Sequence, residues 1–591
     1  MGIIVGQASA CLPFRAPAKI KTRQAEARPT KATGSDARLN RLNSTAPIRS
    51  RAAEEGSFQI PLWGVPLILL LLYVCLFSGL GALGLVGPDE PRYAAIARAM
   101  AETHDWITPR LWGTPWFEKP ALYYWTAGIA MRLFGVSEFA ARLPSALAAL
   151  LAVVAAAWTA LRSYGLGAAW FTLLMLPTSV AMIGFARAAS PDMLFAALLT
   201  SAMAVAVEIL QKPQPGPISR IAFGFFLGAA VLAKGPAAVV LAGGATLLWA
   251  ALSRQWRAPF RFLHPMVILV FCATALPWYV LCAKSNPDFL RVFIWQHNFE
   301  RYVTPVFQHP QPFWFFGPIF LLGFLPWLPM LFTVFLDADW SRHFKICPNS
   351  PALFIACWSV FTLLFFTLSE SKLPGYILPA IPPSILLLAR SLQRQIDRET
   401  KAIQVLVASV GIVLSLLIGI VYARPHLTFG PGIGFNPDPL RGLRVAFGAA
   451  LVGGGFIVAF ALYRKWNGAV SIAACTIAAL LLVANRMVMP GVDTFISARP
   501  AAMYIINRAK PDEVAVYQLP RAYEYGLNYY FGTELPKWTP ENKTAKYLFL
   551  SSESEAPLNQ SSQFFNQPAG AHFPATSDGK IYVLIGRQSR E

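Results

Sequence analysis

The stretch from Gly87 to Met100, GPDEPRYAAIARAM, places charged side chains directly after a long apolar run. Asp89 and Glu90 are adjacent, a proline flanks the pair on either side, and Arg92 follows closely. Carboxylates can take a proton from an attacking group or stabilise positive charge on a bound group. The helical pattern that follows also indicates a simpler role, because acidic residues in the first turn of a helix interact favourably with its dipole.

Further segments combine cations with carboxylates or aromatic rings beside other apolar runs. They are FEKP at 117–120, ARAASPD at 186–192, Lys234, WQHNFERY at 295–302 and SESKLPGY at 369–376. Each has an ordinary explanation: Asp192 as a helix cap, Glu118 with Lys119 as a solvated pair, Lys234 as a snorkelling side chain, His297 as a structural polar group and Arg301 as a headgroup anchor. Together, cations beside carboxylates suggest a site that binds a phosphate while the carboxylates handle another group.

The elements that must position these residues are membrane helices. The 591-residue chain is 55% hydrophobic and 14% charged, whereas soluble domains carry about 25% charged residues. Its net charge of +20 points to basic cytoplasmic loops and anionic lipids rather than to nucleic acid. The seven cysteines form no metal-type CxxC pair and no disulfide framework. The composition therefore predicts a polytopic membrane protein.

Thirteen apolar runs predict about thirteen transmembrane helices, since a span needs roughly 20 apolar residues. The runs lie at 61–86, 143–161, 168–186, 193–210, 221–234, 236–252, 265–283, 314–336, 351–368, 375–390, 402–423, 445–463 and 469–487. Fourteen Lys and Arg fall in loops on one side, which the positive-inside rule assigns to the cytoplasm. The far side then holds residues 87–142, 187–192, 284–313, 369–374, 424–444 and 488–591.

Three parts of the chain are predicted. Residues 1–60 hold ten Lys and Arg against four Asp and Glu, which predicts a disordered basic cytoplasmic tail or an over-extended start. Residues 61–487 form the transmembrane domain, with surface helices in the loop 87–142. The patterns VAVYQL, KYLFL and KIYVLIG predict strands and ARPAAMYIINRA predicts a helix, so residues 488–591 are expected to form a small far-side α/β domain.

The motifs resemble those of the 4-amino-4-deoxy-L-arabinose transferases of lipid A, which are GT-C glycosyltransferases related to the protein O-mannosyltransferases. The resemblance rests on DEPRY at 89–93, FEKPALYY at 117–124, the segment 187–192 and KLPGYILP at 372–379, and it runs from about residue 62 to the end. The acidic pair is common to the superfamily, whereas the run that begins FEKPALYY and the KLPGYILP run favour its bacterial branch. The resemblance implies a GT-C fold of about thirteen helices with a small C-terminal periplasmic α/β domain.

The resemblance also implies roles for individual residues. Asp89 and Asp192 would be catalytic, and the substrate-binding residues would be Glu90, Arg92, Tyr93, Lys119, Lys234, Arg301, Lys372 and Tyr376. Glu118 with His297 would hold one divalent metal ion of unspecified identity, with no organic cofactor. The implied donor is a sugar on undecaprenyl phosphate and the implied acceptor is lipid A. The site would lie on the periplasmic side of the bacterial inner membrane.

The expected reaction inverts the anomeric carbon in one displacement. Lys and Arg neutralise the leaving phosphate, and an acceptor phosphate needs no strong base, so Asp89 would orient it or bind the amino group of the sugar. A hydroxyl acceptor would instead require Asp89 to take its proton. Three alternatives stay open: another polyprenyl-phosphate-sugar transferase, such as a protein O-mannosyl or glycolipid galacturonosyl transferase, a lipid or sugar transporter, and a non-catalytic sensor or scaffold. Modified lipid A is less negative, which predicts resistance to polymyxin and other cationic peptides.

Overall fold

The computed structural model describes residues 60, 62–304, 311–336, 350–425, 437–539, 545–551, 567–573 and 582–586. The tail predicted over residues 1–60 lies outside the described residues, apart from residue 60. The basic loop predicted between the runs 314–336 and 351–368 also lies outside them. The described chain is a helical membrane protein with a small sheet near its C-terminus.

Each of the thirteen predicted apolar runs coincides with a helix or a bent helix pair. Among the described residues, eight helices are long and apolar enough to cross a membrane: Glu138–Tyr164, Pro191–Gln211, Pro217–Lys234, Pro265–Ser285, Pro374–Asp397, Lys401–Ala423, Pro439–Leu462 and Trp466–Ile496. Two runs form bent pairs, Leu166–Met175 with Val180–Ala186 at 59° and Phe316–Gly323 with Leu328–Phe335 at 108°. The remaining runs form the shorter apolar helices Gly64–Phe77, Ala237–Ser253 and Pro351–Thr367. The predicted polytopic helical fold is confirmed.

One helix, Pro191–Gln211, lies at the centre of the bundle. It packs against Glu138–Tyr164 and Pro217–Lys234, and 83% of its most apolar window is buried. Its five Ala side chains and Ser201 let neighbouring backbones approach closely, which is how helices associate in a bilayer. The first turn of this helix, which contains Asp192, therefore lies where the core of the bundle meets the connecting loops.

The segment after the first apolar helix carries its own secondary structure. Helix Asp89–Thr103 is followed by a hairpin of strands β1 (Arg110–Leu111) and β2 (Thr114–Pro115), and then by helix Leu122–Phe134. Helix Asp89–Thr103, called the first-loop helix below, begins at the acidic pair and ends at His104 in the left-handed conformation. It packs against helix Leu122–Phe134 and buries an alanine-rich face.

The C-terminal region forms a mixed four-stranded sheet. Its strands are β3 (Val514–Tyr517), β4 (Tyr547–Ser551), β5 (Gln567–Phe573) and β6 (Tyr582–Gly586), in the order β3-β4-β6-β5. The β3-β4 pair is parallel and the other two pairs are antiparallel. The helices Arg499–Ile506 and Arg521–Phe531 accompany the sheet. The sequence predicted β3, β4, β6 and the first helix, whereas β5, QPAGAHF, contains Pro and Gly, which are depleted in strands.

This C-terminal region is joined to the segment that contains the first-loop helix. Glu138 accepts hydrogen bonds from Arg499 Nη1 at 3.2 Å and from Tyr530 Oη at 2.8 Å. Arg98, on the first-loop helix, donates from Nη1 to the carbonyl oxygen of Tyr529 at 3.0 Å. The sheet region and the first-loop helix therefore contact one another directly.

Candidate active site

Glu118 is the centre of a group of three cations. Its carboxylate lies 2.9 Å from Arg92 Nη2, 3.3 Å from Lys119 Nζ and 3.2 Å from Arg301 Nη1. The side chain is 9% exposed. Burial alone would raise the pKa of Glu118, but the three cations hold that pKa well below its usual range. This group, called the cation cluster below, carries more positive than negative charge and is suited to an anion.

Two side chains at the cluster, Lys119 and His297, have lowered pKa values. Burial and the nearby cations Arg301 and Lys234 lower the pKa of Lys119, Glu118 partly opposes them, and the resulting pKa is about 8. Burial likewise lowers the pKa of His297 to about 4, so its imidazole is neutral at pH 7. Lys119 is therefore a cation that an approaching phosphate would stabilise.

Asp89 stands at the open edge of the cluster. Its Oδ1 pairs with Arg92 Nη2 at 2.7 Å, and its side chain is 53% exposed. It lies within electrostatic range of Glu118, Lys119 and Asp192. Behind it, the guanidinium of Arg92 lies 5.1 Å from the ring of the buried Tyr93. Arg92 thus links an accessible carboxylate to a buried one.

Asp192 and Lys234 form a second ion pair beside this cluster. Asp192 comes from the first turn of the central helix, and Lys234 is the last residue of helix Pro217–Lys234. Lys234 Nζ lies 4.7 Å from the ring centroid of Tyr376, within the range of a cation–π contact. A Cβ on Gly375 would lie 3.0 Å from the Asp192 carboxylate, so a glycine there allows the close approach.

A cavity of about 330 Å³ connects the cluster to an apolar surface. Its polar lining includes Lys119, Lys234, His297, Arg301 and Tyr376. Its apolar lining includes Val240, Ile294, Phe299, Tyr302, Phe365 and Phe366. Such a cavity can hold an anionic head at the cations and a hydrocarbon chain along the aromatic wall.

Glu90 is not part of this arrangement. Its Oε1 accepts hydrogen bonds from the Ala189 amide at 2.7 Å and Arg142 Nε at 3.1 Å. Its Oε2 accepts from the Val86 amide at 2.8 Å and Arg142 Nη2 at 2.7 Å. These four residues, called the Glu90 clamp below, satisfy the carboxylate within the protein. The contacts are those of a structural residue rather than of the predicted substrate ligand.

Lys372 also stands apart from the cavity lining. Its side chain is buried and its Nζ donates to the carbonyl oxygen of Ser369 at 2.6 Å. In the part of the chain that the structure describes, it pairs with no carboxylate. It supports the turn that leads to Tyr376, and its predicted contact with substrate stays a prediction.

The two residues predicted to bind a metal do lie near each other, since the charge of Glu118 acts on His297. Across the described ranges, however, no group of three or more His, Cys, Asp and Glu side chains converges as metal ligands do. The oxygens of Glu118 already face three cations, which would repel a divalent ion. This arrangement does not fit a resident metal ion.

Arg142 was missed by the sequence reasoning, although a signal existed. It lies in helix Glu138–Tyr164, and a charged residue within an apolar helix needs a partner. Besides Glu90, it donates to the carbonyl oxygens of Leu80, Leu83 and Gly84 at 2.6 to 2.8 Å. The apolar lining of the cavity carried no comparable signal, because apolar residues are common throughout this chain.

Comparisons with known proteins identify similar sequences. The family model described as dolichyl-phosphate-mannose-protein mannosyltransferase matches residues 62–293. The undecaprenyl phosphate-alpha-4-amino-4-deoxy-L-arabinose arabinosyl transferase of Edwardsiella ictaluri is 28% identical over 496 residues, which cover 77% of this chain and 87% of that protein. The protein of the same name from Aeromonas salmonicida is 33% identical over 335 residues, which cover 56% of this chain and 59% of that protein.

The fold has a counterpart among solved structures. The crystal structure of ArnT from Cupriavidus metallidurans bound to undecaprenyl phosphate superposes with a TM-score of 0.72 at 23% identity. The match covers 89% of this chain and 98% of that one. The chain is therefore a glycosyltransferase of the GT-C type, similar to the undecaprenyl phosphate-alpha-4-amino-4-deoxy-L-arabinose arabinosyl transferases.

Proposed function

We propose that the chain transfers 4-amino-4-deoxy-L-arabinose from undecaprenyl phosphate to phosphate groups of lipid A. The reaction would take place on the periplasmic face of the bacterial inner membrane. The observation that carries the proposal is the cavity of about 330 Å³, which joins three cations to an apolar wall. That combination suits a phosphate attached to a long hydrocarbon chain. The curated relatives are named for this donor.

The cations act on the leaving group. When the bond between the sugar and the phosphate breaks, negative charge develops on the phosphate oxygens. Lys119, Lys234 and Arg301 line the cavity and stabilise that charge, and this stabilisation is greater where water is excluded. Glu118 holds Lys119 and Arg301 together, so they need no large rearrangement during the reaction.

The carboxylates act on the other side of the reaction. Asp89 is accessible at the edge of the cluster, where it can orient the acceptor or bind the amino group of the sugar. A phosphate acceptor is already an anion, so no strong base is required. One direct displacement then inverts the anomeric configuration, and a product that retains the donor configuration would contradict the mechanism.

Mass spectrometry of lipid A tests the proposal. A deletion strain would be complemented with the wild-type chain, with Asp89→Asn or with Asp288→Asn. We expect the wild type to add the mass of an aminopentose and Asp89→Asn, which loses the orienting charge, to reduce that product by about a hundredfold. Asp288 is an exposed residue paired only with Arg291 among the described residues, so its substitution should leave the product unchanged.

The same experiment separates the alternatives. If the wild type instead adds a hexose or uronic acid to a glycolipid or protein, the chain is still a transferase, but its substrates differ from those proposed. Unmodified lipid A in the wild-type strain, with the pathway induced, would contradict the proposed acceptor. Polymyxin sensitivity provides a second readout, because an aminosugar lowers the negative charge of lipid A. We expect the deletion strain to be more sensitive and Asp89→Asn to fail to restore resistance.

A further inference from the structure

The loop between helices Ala237–Ser253 and Pro265–Ser285 forms a second cleft, far from the active site. Helix Ala237–Ser253 begins just after Lys234 and has 17 residues, so it carries the chain about 25 Å away from that lysine. The cleft has a volume of about 480 Å³. Its lining is Arg254, Gln255, Trp256, Arg257, Ala258 and Arg261. Three of these six side chains are guanidinium cations.

The cleft is held in place by the backbone around it. Arg261 Nη1 donates to the carbonyl oxygens of Ile209, Leu210 and Lys212 at 3.1 to 3.3 Å. These carbonyls belong to the end of the central helix, where a cation is favourable for the helix dipole. The ring of Phe262 packs 4.7 Å from that of Phe223, measured between centroids. The loop is therefore fixed to two neighbouring helices.

The other two arginines are available for a ligand. Arg254 and Arg257 are both exposed. Over the described ranges, neither forms an ion pair with a carboxylate within 4.0 Å. Two neighbouring cations without an acidic partner repel one another, and an anion between them would relieve that repulsion. A guanidinium also matches phosphate oxygens in a bidentate geometry.

Exposed apolar side chains lie beside these cations. Trp256, Phe260 and Leu263 are 61%, 67% and 60% exposed. They follow directly on an apolar helix, which is where aromatic side chains meet the boundary between hydrocarbon and headgroups. A soluble phosphate or a nucleic acid would leave this apolar surface in water, whereas a lipid covers it.

We propose that this cleft binds the headgroup of an anionic phospholipid, with the phosphate at Arg254 and Arg257 and the acyl chains beside Trp256 and Phe260. The proposal is independent of the reaction assigned to the chain, since none of these residues lines the active-site cavity. The negative surface potential of an anionic leaflet favours the same contact. The site would hold this end of the bundle at the level of the headgroups.

Native mass spectrometry of the full chain in neutral detergent tests the proposal. Phosphatidylglycerol and phosphatidylcholine with identical acyl chains would be titrated against the wild type and against Arg254→Gln/Arg257→Gln. We expect the wild type to bind phosphatidylglycerol more tightly. The glutamine variant lacks two cations, so its tightest phosphatidylglycerol site should be about thirtyfold weaker than that of the wild type. Phosphatidylcholine binding should change little.

Two further variants make the outcome decisive. Lys401→Gln/Lys465→Gln removes the same charge from exposed residues elsewhere and should keep the wild-type affinity. Arg254→Lys/Arg257→Lys retains the charge and should keep most of the preference for phosphatidylglycerol over phosphatidylcholine. This variant tests the role of the charge even if the glutamine variant folds poorly. Equal affinities in the wild type and the glutamine variant would overturn the proposal. So would displacement of phosphatidylglycerol by millimolar inorganic phosphate, because the ligand would then be the free ion.

Discussion

Glu90 and Glu118 are both buried glutamates from acidic motifs of the same loop, yet their surroundings differ. In the Glu90 clamp, the carboxylate is bound by two backbone amides and one buried arginine, all within the protein. Glu118 instead faces three side-chain cations, two of which line a cavity. A carboxylate satisfied by backbone amides is complete without a ligand. A carboxylate outnumbered by cations leaves charge for an anion.

The largest expected effect concerns stability and the Glu90 clamp. Arg142→Met leaves Glu90 buried without its charged partner, and breaking a buried pair in this way costs about 3–5 kcal/mol. We expect a large loss of unfolding free energy, measured by thermal or denaturant unfolding in detergent. Glu90→Gln/Arg142→Met removes both charges and should recover part of that loss. If Arg142→Met alone is as stable as the wild type, the Glu90 clamp does not stabilise the fold.

The next effect concerns activity and the cation cluster. Glu118→Gln removes the charge that holds Arg92, Lys119 and Arg301 together, so the cations move apart and stabilise the leaving phosphate less well. We expect kcat to fall by about a hundredfold, without a rise in the KM for the donor, because the site becomes more positive. Steady-state kinetics with a lipid-linked donor measure this split. A rise in donor KM with unchanged kcat would contradict the assigned role.

A smaller effect concerns pH and Lys119. Its lowered pKa of about 8 means that it is charged below pH 8 and loses its charge as the pH rises through that value. We expect kcat/KM for the donor to fall above about pH 8, because the neutral amine stabilises a phosphate poorly. Lys119→Arg stays charged and should move this limb to higher pH. An identical alkaline limb in both proteins would assign it to another group.

The smallest effect concerns the fit of Gly375 against Asp192. A methyl group at this position would lie 3.0 Å from the carboxylate, so the ion pair with Lys234 must shift by a few tenths of an ångström. We expect Gly375→Ala to lower kcat by about fivefold, since small displacements of catalytic groups are costly. Gly243 has open space around it, so Gly243→Ala serves as the control. Unchanged kcat in Gly375→Ala would show that the pair tolerates the shift.

The helical fold was predictable because hydrophobicity is a local signal. Every apolar run in the sequence corresponds to an apolar helix or a bent pair in the structure. The lengths of the individual helices were less predictable, because a run such as 314–336 contains a bend of 108° between two short helices. The sheet near the C-terminus was found from its alternating strands, but β5 has too little strand character to be recognised.

The site was partly predictable for a different reason. Asp89, Arg92, Glu118, Lys119, Asp192, Lys234, Arg301 and Tyr376 were named from their residue types, and the structure brings them together. The adjacent Glu90 was assigned to the substrate because the sequence could not show that the first-loop helix directs it toward Arg142. Helix rotation separates neighbouring residues by about 100°, and the partners that decide each role are distant in sequence.

The Glu90 clamp has a consequence for how the protein is made. All its partners lie between Val86 and Ala189, so the clamp can close once the first part of the bundle has been inserted into the membrane. Lys234, Arg301 and Tyr376 emerge from the ribosome later. The nascent chain can therefore form the Glu90 clamp before the residues that complete the cavity arrive.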